Sequence, residues 1–519
     1  VNRSFVRKVV YLVAMALLLI PLSLLSQPEA VGTTGSRQSP GGAIARYRYE
    51  HGLAQSRLGE IDPGSETIKL ATLGMRGVAA NILWDKALEF QKKEDWTNLS
   101  VTLEQITKLE PNFINVWRFQ AWNLSYNVSV EWDDYRQRYA WVIKGTKFLE
   151  EGMKYNENEP LLPWDIGWVI GHKIGTADEK KQYRVLFRND DDYHGSRPIA
   201  QRDNWLVGKE SFLAAQQIVD TRDVPVRGTN PVIFHSGPAK WQTNYSAGLE
   251  IDGGVDGRAV FGEVAQRAWN TAVREWEEFS TRDIPSSLGI PIRVGDIDKH
   301  KAEVQKLIKE LDALEPGLRD KVSEEKKAKL PEDEREVLAI KREDRTPPQQ
   351  TTATVAEAKI KVSNAELADR LDERHQSKGR KLAEEIARLE DVVRVTQSNA
   401  DTIQFKYWYT RCLAERTPEA LEARKQMYEA NQAYLVETDL DAARKGYEES
   451  FRQWKKVFDE FPLLQEDRVL SDDLIGPDYM PGAIRHYEKL LGQIGEKWPE
   501  DFVLAEFIKA NAPDPPIGQ

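Results

Sequence analysis

The sequence predicts an all-α protein: a solenoid of helical hairpins, a charged coiled-coil arm and a membrane helix at the N-terminus. Three observations carry this expectation. Leu83, Ala87 and Phe90 recur 34 residues later as Trp117, Ala121 and Leu124, and Asn81 recurs as Asn115. Val304, Leu307, Leu311 and Leu314 keep the 3-4-3 spacing of a heptad seam, and Leu382, Ile386, Leu389 and Val393 keep 4-3-4. An apolar run from Val9 to Leu25 follows Arg3, Arg7 and Lys8.

The repeat comes first, because it sets the fold. Apolar residues at i, i+4 and i+7 mark one buried stripe on a helix. Leu99, Leu103 and Ile106 form a second stripe between the two copies, with Trp96 and Pro111 where turns are needed. A helix-turn-helix unit of this length buries its apolar face only by stacking on its neighbours. The second unit's return helix carries Gly145, Leu149 and Gly152, 46 residues after Leu99, Leu103 and Ile106. About a dozen residues are therefore inserted near Val128 to Arg138. Trp164, Trp168 and Gly171 indicate a third forward helix.

The remainder reads as follows. Residues 1–27 form a signal anchor: a charged start and an apolar run, with poor small-residue positions for cleavage around Leu24-Leu25-Ser26-Gln27. Positive charge before the run exceeds that after it, so the bulk of the chain faces outward. Val1 reads as a GUG start, which points to a bacterium and to a single-pass inner-membrane protein facing the periplasm. Residues 28–66 are a Gly-, Ser- and Pro-rich flexible linker. Residues 67–175 hold the repeats. Residues 176–300 are a Trp-rich region of helices and loops. Its helices fall at about 205–220 and 258–280, with long connections between them and a loop over Asn189–Pro198. Residues 301–395 form the charged arm, an antiparallel coiled-coil pair, with partial disorder near 340–355. Residues 396–519 are a helical hairpin, with Ala423, Met427, Ala430 and Tyr434 facing Tyr447, Phe451, Trp454 and Phe458, and with an extended tail from Ala512.

Composition narrows the function. The chain has 519 residues, 30% charged, with a formal net charge of −11. That balance argues against nucleic acid as a partner, since phosphate contacts need clustered Lys and Arg. Fifteen Trp fit a Trp-rich helical core. The single cysteine, Cys412, rules out an intrachain disulfide and any multi-Cys zinc site.

The segment Leu73-Gly-Met-Arg-Gly-Val-Ala-Ala-Asn-Ile-Leu-Trp84, then Lys108–Phe113 and Val116–Ser129, resembles a family of bacterial tetratricopeptide-like (TPR-like) proteins with an N-terminal membrane segment. Ala87, Phe90, Pro111, Trp117 and Ala121 match the TPR pattern, whose period is 34 residues. Leu99 replaces the usual small residue at the helix crossing. The Lys and Asn clamp of some TPR proteins is absent, with Trp84 and Leu88 in its positions. The resemblance implies a helical repeat that binds protein and brings no assigned activity.

No catalytic constellation stands out. Asp190, Asp191, Asp192 and His194 lack the spacing of a calcium loop and read as a solvated acidic loop. His172 and His235 are isolated. Ile251–Gly257 is Gly-rich but carries no phosphate-binding signature. Cys412 reads as a small buried hydrophobe. We therefore expect no catalysis, no cofactor and no metal. Trp117 belongs to the core stripe. Trp84 and Trp122 lie one position along from it, on the face that stacked hairpins turn inward, and Asn81, Asn115 and Arg118 share that face. These five are the candidate partner-binding residues. The leading expectation is a membrane-tethered scaffold or adaptor that binds another protein or peptide. The alternatives are an envelope enzyme with its site in 176–300, and a spacer that self-associates through 301–395.

Overall fold

The computed structural model describes residues 76–251, 253, 257–286, 288–465 and 480–510, with Leu17, residues 30–31 and 37–39, Ala43, Arg46 and Tyr47. The anchor at 9–25, Leu17 apart, the Asp62–Ser65 turn and the tail from Ala512 lie outside the described residues. So does most of the 28–66 linker, where Ala30–Val31 pairs antiparallel with Arg37–Ser39. Among the described residues no helix is long and apolar enough to cross a membrane.

Apart from that short strand pair, the described fold is all-α. Its first hairpin joins α1 (Arg76–Lys92) to α2 (Trp96–Leu109). Asp95 starts α2, its carboxylate accepting from the Asn98 amide at 3.2 Å, and this satisfies one of the orphan donors of a helix N-terminus. Leu99, Leu103 and Ile106 are fully buried against Ala80, Ala87 and Val116. The second hairpin joins α3 (Ile114–Trp122) to α4 (Tyr135–Tyr155). The inserted residues prolong α3 through a π turn at Asn123–Asn127 and a 3-10 turn at Val128–Glu131. Trp117, Ala121 and Leu124 are buried as their spacing requires. Gly152 makes this packing possible, because a Cβ there would sit 2.8 Å from Trp117 Cδ2. The Trp117 indole donates to the Pro111 carbonyl at 2.7 Å, which ties helix to turn.

The third forward helix is α5 (Leu161–Trp168), continued by a π turn at Val169–Lys173. Its buried stripe is Leu162, Ile166, Val169 and Ile170, whereas Trp168 is 37% exposed. The glycine on this helix, Gly171, faces Trp241, which fills the space a Cβ would take. The return helix for α5 comes late in the sequence. α6 (Lys180–Arg188) intervenes, and then α7 (Asn204–Arg222) packs on α5. Tyr183, Phe187 and Val207 join the same core as Trp117, so packing runs across residue 175 without a break.

Two expectations for 176–300 are corrected. Asn189–Pro198 is not all loop: Asp191–His194 is a helical turn capped by Asp190. The supposed long connection before residue 258 contains α8 (Pro231–Ile251), which packs on α7 and pairs with α9 (Glu263–Thr281). Buried side chains surround α8, from Val232 to Glu250, so it has no amphipathic period to read. Pro238 lies inside it and forfeits one backbone hydrogen bond.

The arm pairs α10 (Ile297–Asp312) with the long α15 (Glu373–Thr402). Lys301 meets Gln397 at one end, and Glu315 meets the Asp372 amide at the other, so the pair is antiparallel. Between them lie α11 (Leu318–Ala328), α12 (Glu332–Ala339), α13 (Pro347–Ile360) and α14 (Asn364–Arg370). The expected disorder near 340–355 is replaced by α13. Thr346 and Gln349 form a capping box, and the two prolines occupy the first turn, where no N–H is needed. The arm has its own core around Leu311, Val322, Leu367 and Ile386. Its base is shared, since Ile297, Val395 and Ala400 pack with Trp276 and Trp408.

The chain continues through α16 (Phe405–Glu415) into the hairpin of α17 (Pro418–Gln432) and α18 (Leu440–Glu460), with α19 (Met480–Ile494) beyond. Ala423, Met427 and Ala430 are buried against Tyr447, Phe451, Trp454 and Phe458. A buried ionic cluster ties this end to α8: Arg424 pairs with both Glu250 and Glu415, and its guanidinium lies 5.4 Å from the Trp269 ring.

Candidate functional site

α3 presents two faces. Val116, Trp117, Gln120 and Ala121 point inward, while Asn115, Arg118, Phe119 and Trp122 point outward or lie half-buried. Five residues at 3.6 per turn separate Trp117 from Trp122 by about 140°. Trp117 is accordingly 2% exposed and Trp122 46%. The π turn beyond Trp122 keeps the outer face going, so Tyr126 stacks on Trp122 with centroids 6.2 Å apart and planes 22° apart. π turns insert one residue into a helix without ending it, and they occur often at functional sites.

α5 does the same. Trp164, Trp168 and His172 succeed one another at i, i+4 and i+8, which stacks them along one face. Trp164 and Trp168 are 5.8 Å apart at 11°, and Trp168 and His172 are 4.8 Å apart at 10°. The two π turns meet where Tyr126 faces His172, with the phenol oxygen 3.4 Å from Nδ1. At the other end, Trp84 of α1 lies 5.8 Å from Phe119, which lies 6.2 Å from Trp122. The result is one unbroken row of rings across α1, α3 and α5. Trp168 continues it inward to Trp241 of α8 at 5.9 Å.

This face carries one ion pair and one ammonium against a ring. Arg118 and Asp165 form a bidentate pair, Nε to Oδ2 at 2.5 Å and Nη2 to Oδ1 at 3.1 Å. Burial pushes the Asp165 carboxyl above its ordinary range, and the Arg118 guanidinium opposes that shift. Burial likewise raises the Tyr126 phenol far above its usual value. Lys173 lies 5.2 Å from the Tyr126 ring, and burial lowers its ammonium.

The five residues named from the sequence share this region in different states. Asn81 and Asn115 are exposed and Trp122 is the exposed ring. Trp84 is half-buried against Phe113 and Phe119. Arg118 is bound to Asp165, 47 residues away, so it is not open for a partner in this arrangement. Sequence reasoning missed Phe119, Tyr126, Trp164, Trp168 and His172. The i, i+4, i+8 spacing of Trp164, Trp168 and His172 was the available signal, but Trp164 and Trp168 counted only as marks of a third forward helix, with Gly171, and His172 as an isolated histidine.

Other candidates resolve into structure. Asp190 accepts from the Tyr139 hydroxyl at 2.8 Å, and Asp191 pairs with Arg202 at 2.6 Å. His194 is buried with a ring nitrogen 2.7 Å from the Phe187 carbonyl. Cys412 is buried beside Thr243, and its thiol is pushed up to about 11 by desolvation. Among the described residues no cluster of His, Cys, Asp and Glu is arranged to hold a metal ion. A hollow of about 510 Å³ lies between α2 and α4. Lys108, Lys144 and Lys147 line it together with Glu104 and Glu151, so it carries no single sign of charge.

No protein family, curated protein or solved structure matches this chain.

Proposed function

We propose that this chain is a TPR-like, membrane-tethered scaffold or adaptor of a bacterial cell envelope. Residues 9–25 are its tether, and it docks another protein or peptide on the ring row of α1, α3 and α5. The reading assigns it no catalysis, no cofactor and no nucleic-acid partner. One observation carries it: two large indoles, Trp122 and Trp168, are exposed at 46% and 37% on a single continuous row. Exposed, clustered Trp is expensive to leave in water and is the commonest anchor of interfaces. The 34-residue echo and the succession of helical hairpins support the TPR-like reading, because such stacks turn their forward helices to one face.

Affinity capture from solubilised membranes tests it. The full chain should retain a defined partner. Trp122→Ala and Trp168→Ala should each retain at least about tenfold less, a loss typical of interface hot spots, while melting like the parent. Equal capture by parent and both variants would refute the reading.

A further inference from the structure

The second hairpin carries a turn that the first lacks, and what it implies rests on the membrane tether of the reading above. α1 and α2 are joined by residues 93–95 alone, whereas α3 and α4 are joined through residues 123–134. Insertions in a repeat map to loops on one face of the stack, often a binding face. Here the inserted residues bring two apolar side chains into water: Val130 is 50% exposed and Trp132 44%. Trp132 lies against the half-buried Trp141 of α4, with centroids 6.4 Å apart. Two cations rest on rings beside them, Lys144 4.5 Å from Trp141 and Arg136 4.6 Å from Tyr135.

The turn satisfies most of its own polar groups. Arg138 Nε donates to the Trp132 carbonyl at 2.5 Å, the Arg136 amide to the Asp134 carboxylate at 2.8 Å, and the Trp96 indole to Glu131 at 3.1 Å. Taking the turn out of bulk water therefore strands few of them, which is the main cost of such a transfer. Neither sign of charge dominates. Glu131, Asp133 and Asp134 stand beside Arg136, Arg138 and Lys144, and the neighbouring turn sets Glu94 and Asp95 beside Lys92 and Lys93. Arg138 also holds Glu179. Asp133 is exposed and limits the depth, because a carboxylate is costly in hydrocarbon but not among headgroups. Indoles flanked by Lys and Arg suit that depth: the ring sits at headgroup level and the charged tips stay in water.

Area separates a bilayer from a protein as the occupant. Two half-exposed side chains fall far short of the roughly 800 Å² that each partner gives to a stable protein interface. A chain already tethered to a bilayer needs only a weak second contact, because that contact is intramolecular. The geometry permits it. The Trp96–Glu131 bond puts the turn at the far end of α1 from Arg76, about 25 Å along that helix. Residues 26–75 reach at most about 170 Å when extended, so the turn can come back to the membrane.

We propose that the turn at Val130 and Trp132, with Trp141 behind it, is a second membrane contact that seats its rings among the headgroups of the bilayer in which residues 9–25 are anchored, with no requirement for anionic lipid.

The test places the full chain in phosphatidylcholine vesicles. An environment-sensitive fluorophore is attached at Val130→Cys and, for comparison, at Val355→Cys, which is 48% exposed on the arm. Cys412 is buried and stays unlabelled. Flotation reports whether the tether holds the protein to the vesicle. The label at position 130 should shift to the blue and lose emission when the lipid chains are brominated near the headgroup, and the label at position 355 should do neither. Adding Trp132→Ala should abolish the quenching, and Trp132→Phe, which keeps a ring, should retain part of it, with circular dichroism melts that match the parent. Raising the salt or adding phosphatidylglycerol should change the quenching little. The inference is overturned by an unquenched label at 130, by equal quenching at 130 and 355, by quenching indifferent to Trp132→Ala, or by quenching that appears only with phosphatidylglycerol. An unquenched label at 130 together with a protein crosslinked from that position in cells would make the turn a protein contact instead. Protein that floats with any of these results sinks only the turn and leaves the tether and the docking row standing. Protein that does not float sinks the tether and the turn together.

Discussion

Trp117→Ala is the most exacting perturbation of the hairpin packing. Trp117 is 2% exposed, with Phe148 at 4.6 Å and Tyr155 at 6.1 Å between ring centroids and the Gly152 backbone against its indole. Truncation removes the largest side chain between α3 and α4. Such changes cost about 3–5 kcal/mol, mostly as lost burial and a residual cavity. The lost hydrogen bond adds little, because the Pro111 carbonyl also accepts from Asn156 at 2.9 Å and is not orphaned. A chain of this size need not unfold in one step, so the effect is best read locally. Hydrogen exchange at the α4 amides should speed up roughly a hundredfold or more, since about 1.4 kcal/mol is a factor of ten. Trp122→Ala should change α4 exchange by less than about threefold, because exposed positions cost little. If α4 exchange is unchanged in Trp117→Ala, or equally fast in Trp122→Ala, the assignment of inner and outer faces is wrong.

Further outcomes follow from the same geometry. Arg118→Ala strands a largely buried carboxylate and should destabilise by about 1–3 kcal/mol, while Arg118→Met with Asp165→Leu should recover much of that loss in a denaturant melt. Burial, then Arg282, pushes the His235 imidazole from 6.5 down to about 3. The unfolded chain thus takes up this proton near pH 6.5 and the folded chain only near pH 3. The stability held by neutral His235 is complete above pH 6.5 and is lost as pH falls toward 3. His235→Leu should flatten the dependence of melting temperature on pH in that window, and an unchanged slope would refute the assignment. Replacing residues 305–388 with a short Gly-Ser linker should leave the tryptophan fluorescence of the remainder intact. The removed segment contains no Trp, and Lys301 and Gln397 already lie side by side at 2.9 Å.

Regular amphipathic segments were legible in the sequence. The stripes Leu99-Leu103-Ile106 and Trp117-Ala121-Leu124 are buried where their spacing placed them, and so are Ala423-Met427-Ala430 and the Tyr447 series. Each of these helices buries one face only. α8 was missed for the opposite reason: it is buried on all sides, and Gly237-Pro238 imitates a loop. α13 was missed because Pro347-Pro348 reads as a break, although prolines suit a helix's first turn once Thr346 caps it. The site was half legible. Offset from the core stripe located Trp122 on the outer face. The pairing of Arg118 with Asp165 spans 47 residues and leaves no local signature. The Trp164–Trp168–His172 spacing looks the same whether the stripe faces core or solvent, and only the Gly171–Trp241 contact decides which side of α5 is covered.

Site-specific photo-crosslinking in cells tests the central claim most directly. A photoreactive phenylalanine is placed at Trp122, at Trp168 and, for comparison, at Trp498. The docking account predicts that positions 122 and 168 yield the same crosslinked partner and that 498 does not. A partner crosslinked only from position 498, or none from 122 and 168 while the protein remains folded, would contradict it.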